Sequence, residues 1–423
     1  MKGMVTVMNT KMSVLSKISK SNANKILFLV VDGLGGMYHP YFGNKTELQY
    51  ANIPKFDEFA SSPISDTGLL YPVFPGIIPG SGSGHFGLFG YDPTEKEYMV
   101  GRGALEAADL EAGLVKPSDI VARFNFCSMN EDAVVTDRRA GRISSGGEFA
   151  KLIGDNIRVD GFEFEVVSTK EYRGVLIIRD NGKVSQEITD TDPQSENRPL
   201  SRSVPRAGFE NCEKAIATAG FVNAFSDKVV EFFKGREKVN GLAIRGFSVF
   251  PVLPKFNEVY SVKSIAIASF PFYRGIAYLL GMDVAGSCVD FDAQIDALKK
   301  AYGQYDFFFL HYKDTDCKGE DKDFIGKVKA LEELDSKLGE ILELGFDNVV
   351  ITGDHSTPSL LGRHSHHPVP LLIRSKLNCG HDRVSLFDEE SFQKGSLGIM
   401  HGADLMTMVL AVSDKLLKSE DFI

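Results

Sequence analysis

Lys25-Ile-Leu-Phe-Leu-Val-Val-Asp-Gly-Leu-Gly-Gly36 is the stretch from which the rest of the chain is read. Its unbroken apolar, β-favouring run predicts a strand buried on both faces, as in a parallel sheet. The run stops at Asp32 in a glycine turn. A carboxylate there stands at the carboxyl end of a central strand, where open α/β sheets bind ligands.

Two later stretches repeat the pattern. Asp306-Phe-Phe-Phe-Leu310 runs into His311-Tyr-Lys-Asp-Thr-Asp316, and Asn348-Val-Val-Ile-Thr352 runs into Gly353-Asp-His-Ser356. Parallel strands bring their carboxyl ends to one edge, so Asp32, Asp314 with Asp316, and Asp354 with His355 meet there. Crowded carboxylates repel or take up protons unless cations intervene. Arg363-His-Ser-His-His367 then places three of the nine histidines within four positions. Carboxylates mixed with imidazoles suit Mn²⁺, Zn²⁺ or Fe²⁺ better than Ca²⁺. The ligands suffice for two ions, which together can activate a hydroxyl and clamp a transferring phosphoryl group.

The hydroxyl comes from Pro79-Gly-Ser-Gly-Ser-Gly-His-Phe86. Its glycines let the backbone approach an anion closely, and the apolar run that follows predicts a short helix with its positive end beside Ser81. The segment satisfies the dinucleotide fingerprint by chance, because the prolines before it exclude the buried strand that motif needs. Ser81 is the expected nucleophile, with Ser83 as the alternative.

Around these motifs the chain reads as two domains. Alternating buried strands and amphipathic helices occupy 25–115 and 256–423, with a further strand at Val369–Ile373 whose prolines predict an edge position. Between them, 116–255 carries short alternating strands, polar loops and one helix over about 211–234, which reads as an inserted α+β domain. Residues 1–24 hold neither an acid nor a long apolar block and are expected to be a flexible extension. The 423 residues carry a net charge of −10, which excludes nucleic acid as the main partner, and no apolar run is long enough for a membrane. Five scattered cysteines without a CxxC pair fit a reduced, cytoplasmic chain.

Taken together, these motifs resemble the alkaline phosphatase superfamily, and within it the archaeal-type cofactor-independent phosphoglycerate mutases. The matches run in family order from residue 25 onward: Val31-Asp-Gly-Leu-Gly35, Pro79-Gly-Ser81, His85 with Gly90-Tyr-Asp-Pro93, Gly101-Arg-Gly103, Asp137-Arg-Arg-Ala-Gly-Arg142, Asp190-Thr-Asp-Pro193, Thr315-Asp316, Gly353-Asp-His-Ser-Thr357 and His364-Ser365. The resemblance implies a mostly parallel sheet sandwiched by helices; an insertion that closes over the site would exclude the water that hydrolyses a phosphoserine. It implies interconversion of 3-phosphoglycerate and 2-phosphoglycerate, in glycolysis and gluconeogenesis, through a phosphoserine at Ser81, with no bisphosphoglycerate.

Two divalent ions (Mn, Zn or Co) are implied, one on Asp32, Asp354 and His355, the other on Asp316, His364 and Glu320. His85, Arg139, Arg142, Arg173 and Lys263 become candidate contacts to a small phosphorylated three-carbon acid. Two positions depart from the family pattern. Glu320 stands where Asp-x-x-x-His is usual, and Gly82 replaces the aspartate after the nucleophile. A metal-dependent phosphatase or phosphotransferase acting on another metabolite, or an impaired relative, is the alternative.

Overall fold

The computed structural model describes residues 8–108, 110, 114–286, 288–378, 383–418 and 420. The chain divides into two compact units, residues 1–99 with 253–423, and residues 100–252. The insertion thus begins earlier than the expected 116, at the helix Arg102–Ala108. Gly103 decides this, because a Cβ there would stand 2.5 Å from the carbonyl of Gly246 and 3.1 Å from that of Val121. Without a side chain, the helix lies directly on the strands of the second unit.

In chain order the strands are β1 (Ile26–Val31), β2 (Ser65–Tyr71), β3 (Ile120–Met129), β4 (Val134–Asp137), β5 (Phe164–Lys170), β6 (Arg173–Ile178), β7 (Arg198–Pro199), β8 (Gly241–Val249), β9 (Ser264–Ile267), β10 (Asp283–Val284), β11 (Phe307–Tyr312), β12 (Asn348–Thr352), β13 (Val369–Ser375) and β14 (Gly398–His401). The first unit holds an eight-stranded sheet in the order β10-β9-β11-β1-β12-β13-β2-β14, and the second a six-stranded antiparallel sheet built around β3.

In the large sheet only β13 runs against its neighbours. The central strand β1 is buried at every position, as its uninterrupted apolar run predicts. One face packs Leu27, Leu29 and Val31 under the helices Pro54–Ala60, Phe291–Ala301 and Phe324–Leu342. The other stacks Phe28, Phe307 and Phe309 against Phe89 and Phe256. The result is a mixed α/β fold with a mostly parallel central sheet.

Two expectations are corrected. β13 is interior, between β12 and β2. Pro370 is tolerated because the pairing to β12 begins only at Leu371, so its missing N–H interrupts no bond on that side. The stretch before residue 25 is not a loose tail where it is described. Thr10–Ile18 forms a helix capped by the Asn9 side chain, with Met12 and Leu15 buried. Ser19 bridges to Leu416, and the carbonyl of Lys415 accepts the Lys20 amide. The i, i+3 spacing of Met12 and Leu15 gives this segment an apolar side to bury.

Candidate functional site

The parallel register pairs Val31 with Tyr312 and Val30 with Thr352, so β1, β11 and β12 end level. Asp32, Asp316 and Asp354 leave the sheet at that one edge, as the sequence predicts, and all three are buried. Ser81 is the first residue of the helix Ser81–Leu88. A Cβ on Gly84 would fall 2.2 Å from the carbonyl of Asp354, so a glycine at that position lets the helix press against the end of β12. Ser81 Oγ thereby comes within 3.3 Å of His355 Nε2. Ser83 is committed elsewhere, its hydroxyl bonded to the amide and carbonyl of Gly80 at 3.0 Å. The geometry therefore favours Ser81 as nucleophile.

His355 Nε2 lies 3.4 Å from Asp32 Oδ1 and 3.3 Å from Asp354 Oδ2. Both oxygens are buried without a hydrogen-bond donor. Burial alone would raise Asp32, but Lys313 and the neighbouring imidazoles hold it well below the usual carboxylate range. Burial, and then the charge of Asp32, push Asp354 up to about 8. Orphaned carboxylate oxygens converging on an imidazole nitrogen are the donor set a divalent transition ion takes. The residues present fit one.

The second cluster joins Asp316 and His364, and the expected Glu320 stands at its edge, outside the group whose ligand atoms all lie within 4.8 Å of one another. His364 Nε2 is 3.7 Å from Asp316 Oδ1 and 3.6 Å from Glu320 Oε1. His355 also lies in reach of Asp316 and His364, yet its Nδ1 is engaged by Thr357 Oγ1 at 3.0 Å. That hydroxyl donates onward to Asp316 Oδ1 at 2.7 Å. Nδ1 therefore carries the proton, and Nε2 presents its lone pair to Asp32, Asp354 and Ser81. His355 belongs with the first cluster, and Thr357 ties the two clusters together. Glu320 stands at the rim with its side chain 56% exposed. Asp314 is exposed and joins neither group, while His366 and His367 stack on each other.

Two expected substrate contacts are corrected. His85 is 0% exposed, with Nδ1 2.8 Å from the Ser81 carbonyl and 3.3 Å from Asp354 Oδ2. It supports the Ser81 turn from beneath, and its complete burial leaves it no open face for a substrate. Lys263 precedes β9, at the amino edge of the parallel sheet, and its backbone N–H donates to Asp306 Oδ1. It is a strand's length from the site.

The arginine candidates lie in the second unit. Arg139 and Arg142 flank a turn in which Ala140, Gly141 and Arg142 all have positive φ, at 47°, 65° and 52°. Asp137 braces that turn through the amides of Arg139 and Gly141. Arg173 lies against the ring of Tyr172.

Several functional groups escaped the sequence reading. Lys313 Nζ bonds both Asp32 Oδ2, at 3.0 Å, and Asp316 Oδ2, standing as the internal counter-charge of the two clusters. Tyr273 donates to the same Asp32 oxygen, and His311 Nε2 lies 3.3 Å from it. Lys327, wholly buried, donates to the carbonyls of Gly33, Gly35 and Thr357 and holds the two ligand loops together. His311, Lys313 and Thr357 carried a local signal, since all three lie inside the strand-end motifs. Tyr273 and Lys327 reach the site from separate helices.

Fold and site together define a mixed α/β protein whose strand ends gather a hydroxyl, carboxylates and imidazoles into a candidate centre for divalent metals. A sequence profile described as 2,3-bisphosphoglycerate-independent phosphoglycerate mutase matches residues 63–240. A protein of Thermus thermophilus named "Probable 2,3-bisphosphoglycerate-independent phosphoglycerate mutase" is 42% identical over 96% of this chain and 98% of its own length. A Thermotoga maritima protein of the same name is 43% identical over the same shares. The solved structure of the cofactor-independent phosphoglycerate mutase from Thermoplasma acidophilum superposes with a TM-score of 0.65 at 26% identity, covering 92% of this chain and all of that one. The chain belongs to the 2,3-bisphosphoglycerate-independent phosphoglycerate mutase family.

Proposed function

We propose that this enzyme, which interconverts 3-phosphoglycerate and 2-phosphoglycerate without bisphosphoglycerate, does so through Ser81. Ser81 Oγ attacks the phosphorus of the bound ester, and the bond from phosphorus to the substrate oxygen breaks as the new one forms. The proton lost by Ser81 ends on the freed hydroxyl of glycerate. Glycerate then reorients, its other hydroxyl attacks the phosphoserine, and the serine is regenerated.

Asp32, Asp354 and His355 would hold one divalent ion, and Asp316, His364 and Glu320 a second. Bound there, the pair supplies positive charge that makes the serine a nucleophile at neutral pH and offsets the charge of the phosphoryl group. Thr357 fixes the tautomer of His355. The Ser81–Leu88 helix aims Ser81, with its N-terminal amides, at the phosphate. Arg139 and Arg142, and behind them Arg173, grip the carboxylate and phosphate of the substrate, and the strained turn between Arg139 and Arg142 supports that reading. Strained backbone of this kind persists where function demands it.

The observation that carries the proposal is the convergence of Ser81 Oγ on His355 Nε2 beside two orphaned carboxylate oxygens. An enolase-coupled assay with Mn²⁺, Zn²⁺ or Co²⁺, and no bisphosphoglycerate, should show conversion that Ser81→Ala abolishes. Inactivity with all three metals sinks the proposal. Phosphate release that outruns isomerisation would assign the site to a phosphatase instead.

A further inference from the structure

Away from the strand-end clusters, the first unit brings two more carboxylates together. Glu47 opens the helix Glu47–Tyr50 and is 1% exposed. Its Oε1 accepts from the Ser359 amide at 2.8 Å and from the Ser359 hydroxyl at 2.6 Å. Its Oε2 is buried without a hydrogen-bond partner. Glu389 is the first residue of the helix Glu389–Phe392. Its Oε1 accepts from the Gly36 amide at 2.8 Å, and its Oε2 from the Thr46 hydroxyl at 2.7 Å.

The two carboxylates meet at Gly36. A Cβ there would fall 2.1 Å from Glu47 Oε2 and 3.4 Å from Glu389 Oε1, so both oxygens face one point that only a glycine leaves open. Every donor to the pair is neutral, and its two negative charges stay uncompensated. Burial, with the charge of Glu47 added, outweighs the hydrogen bonds to Glu389 and raises its carboxyl above the usual range. A buried carboxylate oxygen with no donor costs stability until a partner arrives. A cavity of about 440 Å³ is lined by Leu48, Asp388 and Glu390, the chain neighbours of the two glutamates, and by Asp57 and Lys45. Its three carboxylates outnumber the one ammonium and favour the entry of a cation.

We propose that Glu47 and Glu389 form a binding site for a hard divalent cation, calcium or magnesium, separate from the strand-end centre. The donors are oxygens, with no imidazole or thiol among them, which suits these ions better than Zn²⁺. Glu47 Oε2 and Glu389 Oε1 supply the charged ligands, and water completes the shell. Gly36 ends the loop that carries Asp32, and Ser359 lies in the loop that carries Asp354 and His355. An ion held by the pair fastens both loops to the Glu389–Phe392 helix. The proposal does not rest on the mutase reading.

The test is calorimetric titration of calcium, and separately of magnesium, into full-length protein loaded with Zn²⁺ and freed of excess metal. One ion per chain should bind. Glu47→Gln and Glu389→Gln should each weaken it by about tenfold or more, and Asp354→Asn should leave it unchanged. Saturating ion should raise the melting temperature of the wild type by about 3 °C or more, and that of Glu47→Gln not at all. Circular dichroism checks folding, and Glu389→Gln carries the test if Glu47→Gln does not fold.

No saturable binding of either ion to the wild type overturns the site, as does unchanged binding in a folded glutamine variant. Binding lost in Asp354→Asn but kept in Glu47→Gln assigns the ion to the strand ends and overturns it as well. A wild type that takes neither ion, with a Glu47→Gln variant that melts higher, gives the pair a shared proton in place of a cation.

Discussion

The two units carry charge imbalances of opposite sign. At the strand ends of the first, Asp32, Asp316 and Asp354 crowd together with one ammonium, Lys313, between them, and carboxylate oxygens are left over. In the second, Arg123 and Arg245 face each other and guanidinium donors are left over. Each excess costs stability in the free chain and is relieved by a partner of the opposite sign. The difference lies in how the excess is held. Asp32 and Asp354 stand on loops fixed by buried contacts such as Lys327 and Asp316 on a short helix, whereas Arg123 and Arg245 stand on paired strands.

Four substitutions break or sharpen this contrast. Asp354→Asn removes an oxygen from the first cluster, and the mutase rate should fall by about 10³-fold or more, since the centre acts as a unit. Metal analysis should find one transition ion fewer per chain than in the wild type. Thr357→Val cuts the relay between His355 and Asp316 while leaving every proposed ligand in place. A loss of about 10–100-fold in rate or metal affinity is expected, with Thr357→Ser restoring most of it. An equal loss in the serine variant would mean that packing of the methyl group, not the hydroxyl, is what counts.

Glu320→His places the usual imidazole beside His364 and Asp316. Titrating Mn²⁺ and Zn²⁺ against rate should show a several-fold gain and a shift of preference toward Zn²⁺. An unchanged or lower rate would show that the glutamate is adapted to another task. The smallest effect belongs to the second unit. Arg142→Gly relieves one left-handed residue, so stability should rise by about 1 kcal/mol and the melting temperature by about 2–4 °C. The KM for phosphoglycerate should rise at the same time. Stability gained while binding is lost is the signature of strain kept for function.

Much of the catalytic unit could be read from the chain itself. Strongly apolar strands that stop abruptly at acids specify both the parallel sheet and the edge at which its ligands meet, because parallel strands must align their ends. The short helix at Ser81 followed from the local glycines and the apolar run after them, while Ser83 stood as an alternative until its hydroxyl proved to be bonded to Gly80.

Other features had no local signature. β13 sits inside the sheet despite its proline, since tolerance of Pro370 depends on where pairing with β12 starts. Residues 10–18 form a helix because Met12 and Leu15 find a surface formed much later in the chain. His85 and Lys263 looked equally chemical in sequence, and burial removed one while strand direction removed the other.

The sequence by itself determined the strand-end acids and the family, because each motif depends on residues close together in the chain. Only the tertiary structure decided which nitrogen of His355 is free, that Lys313 stands between Asp32 and Asp316, and that Arg123 faces Arg245. Those facts depend on register and on contacts between distant segments, and a carboxylate or a guanidinium shows what it lacks only once its neighbours are in place.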